Sequence, residues 1–96
     1  MSAAAQRRLC DLDPGVSRET LARLETMVET LLRWQKTINL VGRATLDDVW
    51  TRHILDSAQL ARFEPRQGAT WAEMGSGAGL PGIVISCLVD GRVCLI

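Results

Sequence analysis

Four glycines within eight residues constrain the fold of this chain more than any other feature. They stand at positions 75, 77, 79 and 82, after the stretch Trp71-Ala72-Glu73-Met74 and before the apolar run 83–89. Glycine adopts positive φ angles readily and lets a ligand approach the main chain. Pro81 favours a helix start, because the first turn of a helix does not need its N–H. The stretch therefore predicts a strand, a glycine loop that holds a nucleotide-like cofactor, and a helix.

Two kinds of cofactor fit such a loop. Residues 77–82 satisfy the pattern G-x-G-x-x-G, which predicts a nicotinamide dinucleotide only when an acidic residue follows about 20 residues later. The sequence ends before that position. Glu73 instead precedes the first glycine, and its carboxylate suits the ammonium and sulfonium groups of S-adenosylmethionine. The acid favours S-adenosylmethionine, with a NAD(P)-binding Rossmann fragment as the alternative.

The motif at residues 73–82, Glu-Met-Gly-Ser-Gly-Ala-Gly-Leu-Pro-Gly, resembles the first cofactor motif of the glucose-inhibited division protein B family, the bacterial 16S rRNA guanine-N7 methyltransferases. Residues 33–40, Arg-Trp-Gln-Lys-Thr-Ile-Asn-Leu, and 52–57, Arg-His-Ile-Leu-Asp-Ser, are similar to two further segments of that family. The resemblance runs from about Leu21 to Ile96 and covers the front half of such an enzyme. Glu73 stands where the family usually has Asp, and Gln35 where it usually has Asn.

The resemblance implies an S-adenosylmethionine-dependent enzyme of rRNA processing, with 16S rRNA as substrate. In it Gly75, Gly77 and Leu80 contact the cofactor, and Glu73 lies near its cationic end. No catalytic residue is predicted, because guanine N7 carries an unprotonated lone pair and needs no general base. The ribose, adenine and guanine contacts are expected after Ile96. We therefore expect the chain to be an N-terminal part that is inactive alone, with a non-enzymatic truncated product as the second alternative.

Charge and cysteine content point away from several other classes of protein. Eleven basic side chains balance eleven acidic ones, so no net field draws the chain to RNA or to an anionic membrane. Cys10, Cys87 and Cys94 form no C-x-x-C pair, which argues against disulfides and zinc, and they are interpreted as small core residues in a reducing compartment. No apolar run is long enough to span a bilayer. We expect a cytoplasmic protein with neither metal nor membrane partner.

The predicted fold is α/β, with an N-terminal helical region at 1–68 and the start of a Rossmann-like cofactor-binding domain at 69–96. Helices are predicted over 6–12, over 17–36 with Ser17 as N-cap, and over 45–62 with Thr45 as the capping residue. Strands at 69–74 and 92–96 flank a helix at 81–89. This is the first β-α-β unit of a methyltransferase fold, truncated at its last strand.

The sequence also predicts roles for four side chains outside the glycine loop. His53 and Asp56, three residues apart, are neighbours on the third predicted helix. We interpret them as a buried structural pair, with a role beside substrate or cofactor as the alternative. Trp34 is interpreted as an aromatic residue that closes the core, with a base-stacking platform as the alternative. Asn39 is expected to bond backbone groups of its turn.

Overall fold

A computed structural model describes residues 1–96 and shows a mixed α/β chain. Most of the first 63 residues are helical, and a small parallel sheet follows. The elements are α1 (Ala3–Leu12), α2 (Arg18–Gln35), a 3₁₀ helix (Arg43–Asp48), a π-helix (Trp50–Leu55), α3 (Asp56–Ala58), a second 3₁₀ helix (Gln59–Phe63), β1 (Trp71–Glu73), α4 (Gly82–Leu88) and β2 (Val93–Leu95).

The first two helices begin at serine N-caps. The Ser2 hydroxyl accepts the Ala5 N–H at 3.1 Å, and the Ser17 hydroxyl accepts the Thr20 N–H at the same distance. Each bond satisfies one of the N–H groups that a first helical turn leaves without a partner. The predicted start of the second helix at Ser17 is confirmed.

The third predicted helix is not continuous, and its predicted cap is wrong. The segment 43–63 passes through 3₁₀, π and α geometry, and Gly42 stands at the N-cap position. The Thr45 hydroxyl lies 2.7 Å from Nε2 of His53. A straight α-helix separates residues eight apart by about 12 Å along its axis, which these two side chains do not bridge. The segment therefore bends between them.

The strands and the last helix follow the predicted order, with shorter elements. β1 and β2 pair in parallel, with Trp71 opposite Val93 and Glu73 opposite Leu95. Each strand has three residues and is therefore shorter than its predicted range, 69–74 for the first and 92–96 for the second. Gly91 leads into β2, where a Cβ atom would overlap the backbone carbonyl of Ala69. Only glycine allows this close approach of the two chain segments.

One apolar core joins the helices to the β-α-β unit. Four side chains in it are almost completely buried, namely Leu9, Leu24, Ile54 and Val84. Val84 belongs to α4, which packs against α2 and α3. The core therefore includes residues from both sides of the predicted boundary at 68.

Two predictions about core residues are wrong. Cys10 and Cys94 are exposed, whereas Cys87 is half-buried, and this burial raises the pKa of its thiol. Trp34 is 52% exposed. It lies about 60° around the helix axis from the buried Leu31, which puts it at the side of the apolar stripe of α2. Trp34 therefore borders the core rather than closing it.

Candidate functional site

The glycine loop connects β1 to α4, and its backbone is open at two positions. Gly75 and Gly77 have φ angles of 69° and 50°, which L side chains rarely adopt. A Cβ atom at either position would meet no atom within 4 Å. Side chains here would thus project into open space beside the loop. These two glycines keep the main chain accessible to a ligand.

The other two glycines of the motif serve packing. A Cβ atom on Gly79 would overlap the side chain of Ile83, and one on Gly82 would overlap Glu73 and Leu95. The sequence pattern alone predicts one binding surface for all four glycines. The structure separates them into an open pair, 75 and 77, and a close-packed pair, 79 and 82.

Hydrogen bonds fix the two ends of the loop and leave donors in its middle. The N–H groups of Gly75 and Ser76 donate to the Ile96 carbonyl at 3.0 and 3.1 Å, and the Gly79 N–H donates to the Ser76 carbonyl at 2.7 Å. The N–H groups of Gly77, Ala78 and Leu80 donate no hydrogen bond within the chain. Gly77 is exposed, and Ala78 and Leu80 are partly exposed, so these open donors are accessible to a bound molecule.

Glu73 ends β1 and caps the following helix. Its Oε2 accepts the N–H of Gly82, the first residue of α4. A carboxylate is favourable at this end of a helix, where the peptide dipoles leave a partial positive charge. Glu73 is half-buried and forms no ion pair with another side chain. Its negative charge is therefore held at the base of the glycine loop without a cationic partner.

Gln35 organises the turn that follows α2. Its Oε1 accepts the N–H groups of Leu40 and Val41 at 2.9 and 3.0 Å, and its Nε2 donates to the Val41 carbonyl at 2.9 Å and to Oδ1 of Asn39 at 2.8 Å. The sequence predicts this backbone-bonding role for Asn39. The structure gives it to Gln35, whose amide has both donors and acceptor in use.

Gln35→Ala is expected to lower the free energy of unfolding by about 1–3 kcal/mol, because it leaves part-buried backbone groups at 40 and 41 without partners. Urea denaturation measures this change. Gln67→Ala is the matched control, since Gln67 makes a single exposed bond to Asp90 and should cost less than about 0.5 kcal/mol. Equal losses in the two variants would contradict the role given to Gln35.

His53 and Asp56 do not form the predicted pair. The Thr45 hydroxyl lies 2.6 Å from the Gly42 carbonyl, to which it must donate its hydrogen. The hydroxyl can then only accept from Nε2 of His53. The ring therefore carries a hydrogen on Nε2, and Nδ1 has no partner in the chain. Asp56 is exposed, and its Oδ1 accepts from Nε2 of Gln59 at 2.9 Å.

The family model described as rRNA small subunit methyltransferase G matches residues 20–96. This chain belongs to that family. It is the family that the three sequence motifs resemble, so the prediction of glucose-inhibited division protein B is confirmed.

Relatives in the rRNA small subunit methyltransferase G family are about half identical to this chain. The protein of Methylobacterium sp. (strain 4-46) is 57% identical over 74 residues, covering 77% of this chain and 34% of the relative. Those of Ruegeria sp. (strain TM1040) and Rhodospirillum rubrum are each 53% identical, over 90 and 84 residues, covering 88% of this chain and 43% and 42% of the relatives. All three are named ribosomal RNA small subunit methyltransferase G. The chain thus spans less than half the length of these relatives.

No solved structure matches the chain. None of its helices combines the length and the apolar composition required to cross a membrane. No group of three or more His, Cys, Asp or Glu side chains is placed to hold a metal ion.

Proposed function

We propose that this chain contributes the S-adenosylmethionine-binding part of an enzyme that methylates N7 of a guanine in 16S rRNA. The observation that carries the proposal is the loop 75–80, with its two open glycines and its free N–H donors. The name of the relatives, ribosomal RNA small subunit methyltransferase G, supports the same reaction class and RNA. We also propose that the protein acts in the cytoplasm, where ribosomal RNA is processed.

The residues of the loop fit S-adenosylmethionine. The N–H groups of Gly77, Ala78 and Leu80 are donors for the carboxylate at the methionine end of the cofactor. The open backbone at Gly75 and Gly77 leaves room that side chains would fill. The Glu73 carboxylate, which has no cationic partner in the chain, would attract the ammonium or sulfonium group.

The Glu73 cap favours S-adenosylmethionine over a nicotinamide dinucleotide. In dinucleotide-binding folds the pyrophosphate lies at the N-terminus of the helix after the glycine loop. Here the Gly82 N–H at that position already donates to a carboxylate, whose charge would repel a phosphate. A dinucleotide bound to the G-x-G-x-x-G pattern of residues 77–82 would therefore place its pyrophosphate beside the Glu73 carboxylate.

Methylation at guanine N7 requires little catalytic chemistry from the side chains of this chain. S-adenosylmethionine, when bound, supplies a methyl group on a positively charged sulfur. Guanine N7 has an unprotonated lone pair at neutral pH, so no side chain has to remove a proton. The protein then contributes mainly by holding the two reactants in line, which is worth up to about 7–11 kcal/mol in favourable cases. Glu73, Gly75, Gly77 and Leu80 are binding residues in this account.

We assign residues 69–96 to the start of a Rossmann-like domain and residues 1–68 to an N-terminal helical region. Parallel β1 and β2 are joined through α4, and the glycine loop follows the carboxyl end of β1. Ligands of open α/β sheets bind outside the carboxyl ends of the strands. Because side chains of the helical region pack in the same core as Val84, we expect this region to stabilise the cofactor domain.

A methyl-transfer assay tests the proposed function. A chimera, in which this chain replaces the matching part of the Ruegeria relative, and the 96-residue chain alone are each given labelled S-adenosylmethionine and unmodified 16S rRNA. The chimera is expected to label the RNA, with strand cleavage after borohydride and aniline marking N7-methylguanine. The chain alone is expected to be inactive. A folded chimera that labels another atom, or labels nothing, would contradict the proposal.

A further inference from the structure

A polar cleft lies beside the glycine loop, on the side of the helical region. It has a volume of about 210 Å³ and is bordered by Leu80 and Pro81 of the loop. Arg52, His53 and Asp56 of the segment 43–63 also line it, together with Ser57 and Leu60. The cleft thus brings charged and polar groups of the helical region together with two apolar side chains of the loop. Leu80 belongs both to the cleft and to the proposed cofactor loop.

The charged groups of this cleft are largely free to meet a ligand. Arg52 and Asp56 are four residues apart, a spacing at which ion pairs commonly form on helices. They form none, and the side chain of Arg52 donates no hydrogen bond to any group of the chain. Asp56 accepts only one bond, from Gln59, although a carboxylate offers about four acceptor sites. The guanidinium keeps all its donors and the carboxylate keeps most of its acceptor sites.

His53 is held in place at the same cleft. Its Nε2 is engaged by Thr45 at 2.7 Å, and Thr45 is itself bonded to the Gly42 carbonyl. The ring therefore has one nitrogen fixed by the protein and the other, Nδ1, without a partner. This arrangement orients the imidazole and leaves a polar atom for a ligand.

We infer that this cleft binds the Watson–Crick edge of the substrate guanine, an inference that rests on the proposed function. Guanine presents two neighbouring donors, N1–H and N2–H, next to the acceptor O6. The Asp56 carboxylate accepts from both donors, and the Arg52 guanidinium donates to O6. Leu80 and Pro81 offer an apolar surface to the flat ring. Enzymes that modify a base in nucleic acid read the extruded base through contacts of this kind.

This binding mode leaves the reactive atom free. N7 lies on the edge of the purine away from N1 and N2, so a base held through Asp56 presents N7 outside the cleft. Because Leu80 is shared with the glycine loop, the base comes to lie next to the proposed cofactor site. The family resemblance implies guanine contacts after Ile96. The proposed cleft adds selective contacts at residues 52 and 56 to these.

Nuclear magnetic resonance tests the inference through a single probe. His53 is the only histidine, so its ring signals report on this cleft alone. Guanosine monophosphate is expected to shift these signals saturably, and adenosine monophosphate to bind at least about tenfold more weakly, as one bidentate base contact provides. Inosine monophosphate, which lacks the 2-amino group, should fall between them. The 7-deaza analogue of guanosine monophosphate should bind as well as the parent, because N7 is not contacted.

Two variants complete the test. Asp56→Asn is expected to reduce guanosine monophosphate affinity about tenfold or more, whereas Asp47→Asn, on the exposed 3₁₀ helix outside the cleft, should leave it unchanged. Where the chain alone does not melt cooperatively, dissociation constants measured on the chimera give the same comparison. Equal binding of guanine and adenine nucleotides, or no effect of Asp56→Asn, would overturn the inference. S-adenosylmethionine binding is titrated separately, so a failure confined to guanine contradicts the cleft and not the cofactor loop.

Discussion

Replacing Ile54 with alanine is expected to lower the free energy of unfolding by about 2–5 kcal/mol, the usual cost of a large cavity in a packed core. The side chain of Ile54 is 0% exposed and lies in the core that includes Leu24 and Val84. Single domains are stable by only about 5–15 kcal/mol, so this loss takes much or all of the available stability. The variant should therefore be largely unfolded in the isolated chain.

Urea denaturation followed by circular dichroism measures this change. Leu32→Ala is the matched control, because Leu32 on α2 is 39% exposed and is not part of the buried core. It should cost less than about 1 kcal/mol. The shared core also predicts that the helices and the β-α-β unit unfold in one transition. Two separate unfolding transitions, or equal losses of unfolding free energy in the two variants, would contradict the placement of Ile54 in a core shared by both parts of the chain.

Gly77→Val is expected to weaken S-adenosylmethionine binding at least about tenfold, a change of about 1.4 kcal/mol or more in binding free energy. The φ angle of 50° at Gly77 is strained for a branched side chain, which would also enter the open space beside the loop. Gly68→Val is the matched control. Gly68 has a φ angle of 81° and equally open surroundings, but it lies before β1 and outside the loop.

Strain of this kind costs on the order of 1–3 kcal/mol at either position, so both variants should melt at similarly lowered temperatures. Only Gly77→Val should lose the cofactor in titration calorimetry. An equal loss of affinity in both would attribute the effect to general destabilisation. Unchanged affinity in Gly77→Val would remove the loop from the cofactor site.

Local signals in the sequence predicted the elements that local interactions determine. Ser17 starts α2 because its hydroxyl bonds an N–H three residues away, and this depends on few other residues. The order of strand, glycine loop and helix at 71–88 follows from glycine and proline chemistry at adjacent positions. The family resemblance rested on contiguous motifs and was therefore readable without a structure.

Interactions that depend on three-dimensional packing could not be predicted from local patterns in the sequence. The Thr45 to His53 bond bends the segment 43–63, and no helical periodicity reveals a contact between residues eight apart. Gln35 was overlooked because its amide bonds a turn that Asn39 occupies, and both residue types suit that role. The packing role of Gly79 and Gly82 depends on Ile83, Glu73 and Leu95 in three dimensions. A glycine pattern alone does not distinguish an open position from a crowded one.

The backbone amide signals of the glycine loop test the central claim most directly. The chimera, labelled with nitrogen-15, is titrated with S-adenosylmethionine and, in a separate sample, with NAD. We predict that S-adenosylmethionine shifts the amide signals of Gly77, Ala78 and Leu80 most, because these N–H groups have no acceptor within the chain, and that NAD leaves them unchanged. Shifts of the same amides by NAD, or a response to S-adenosylmethionine that bypasses this loop, would contradict the account.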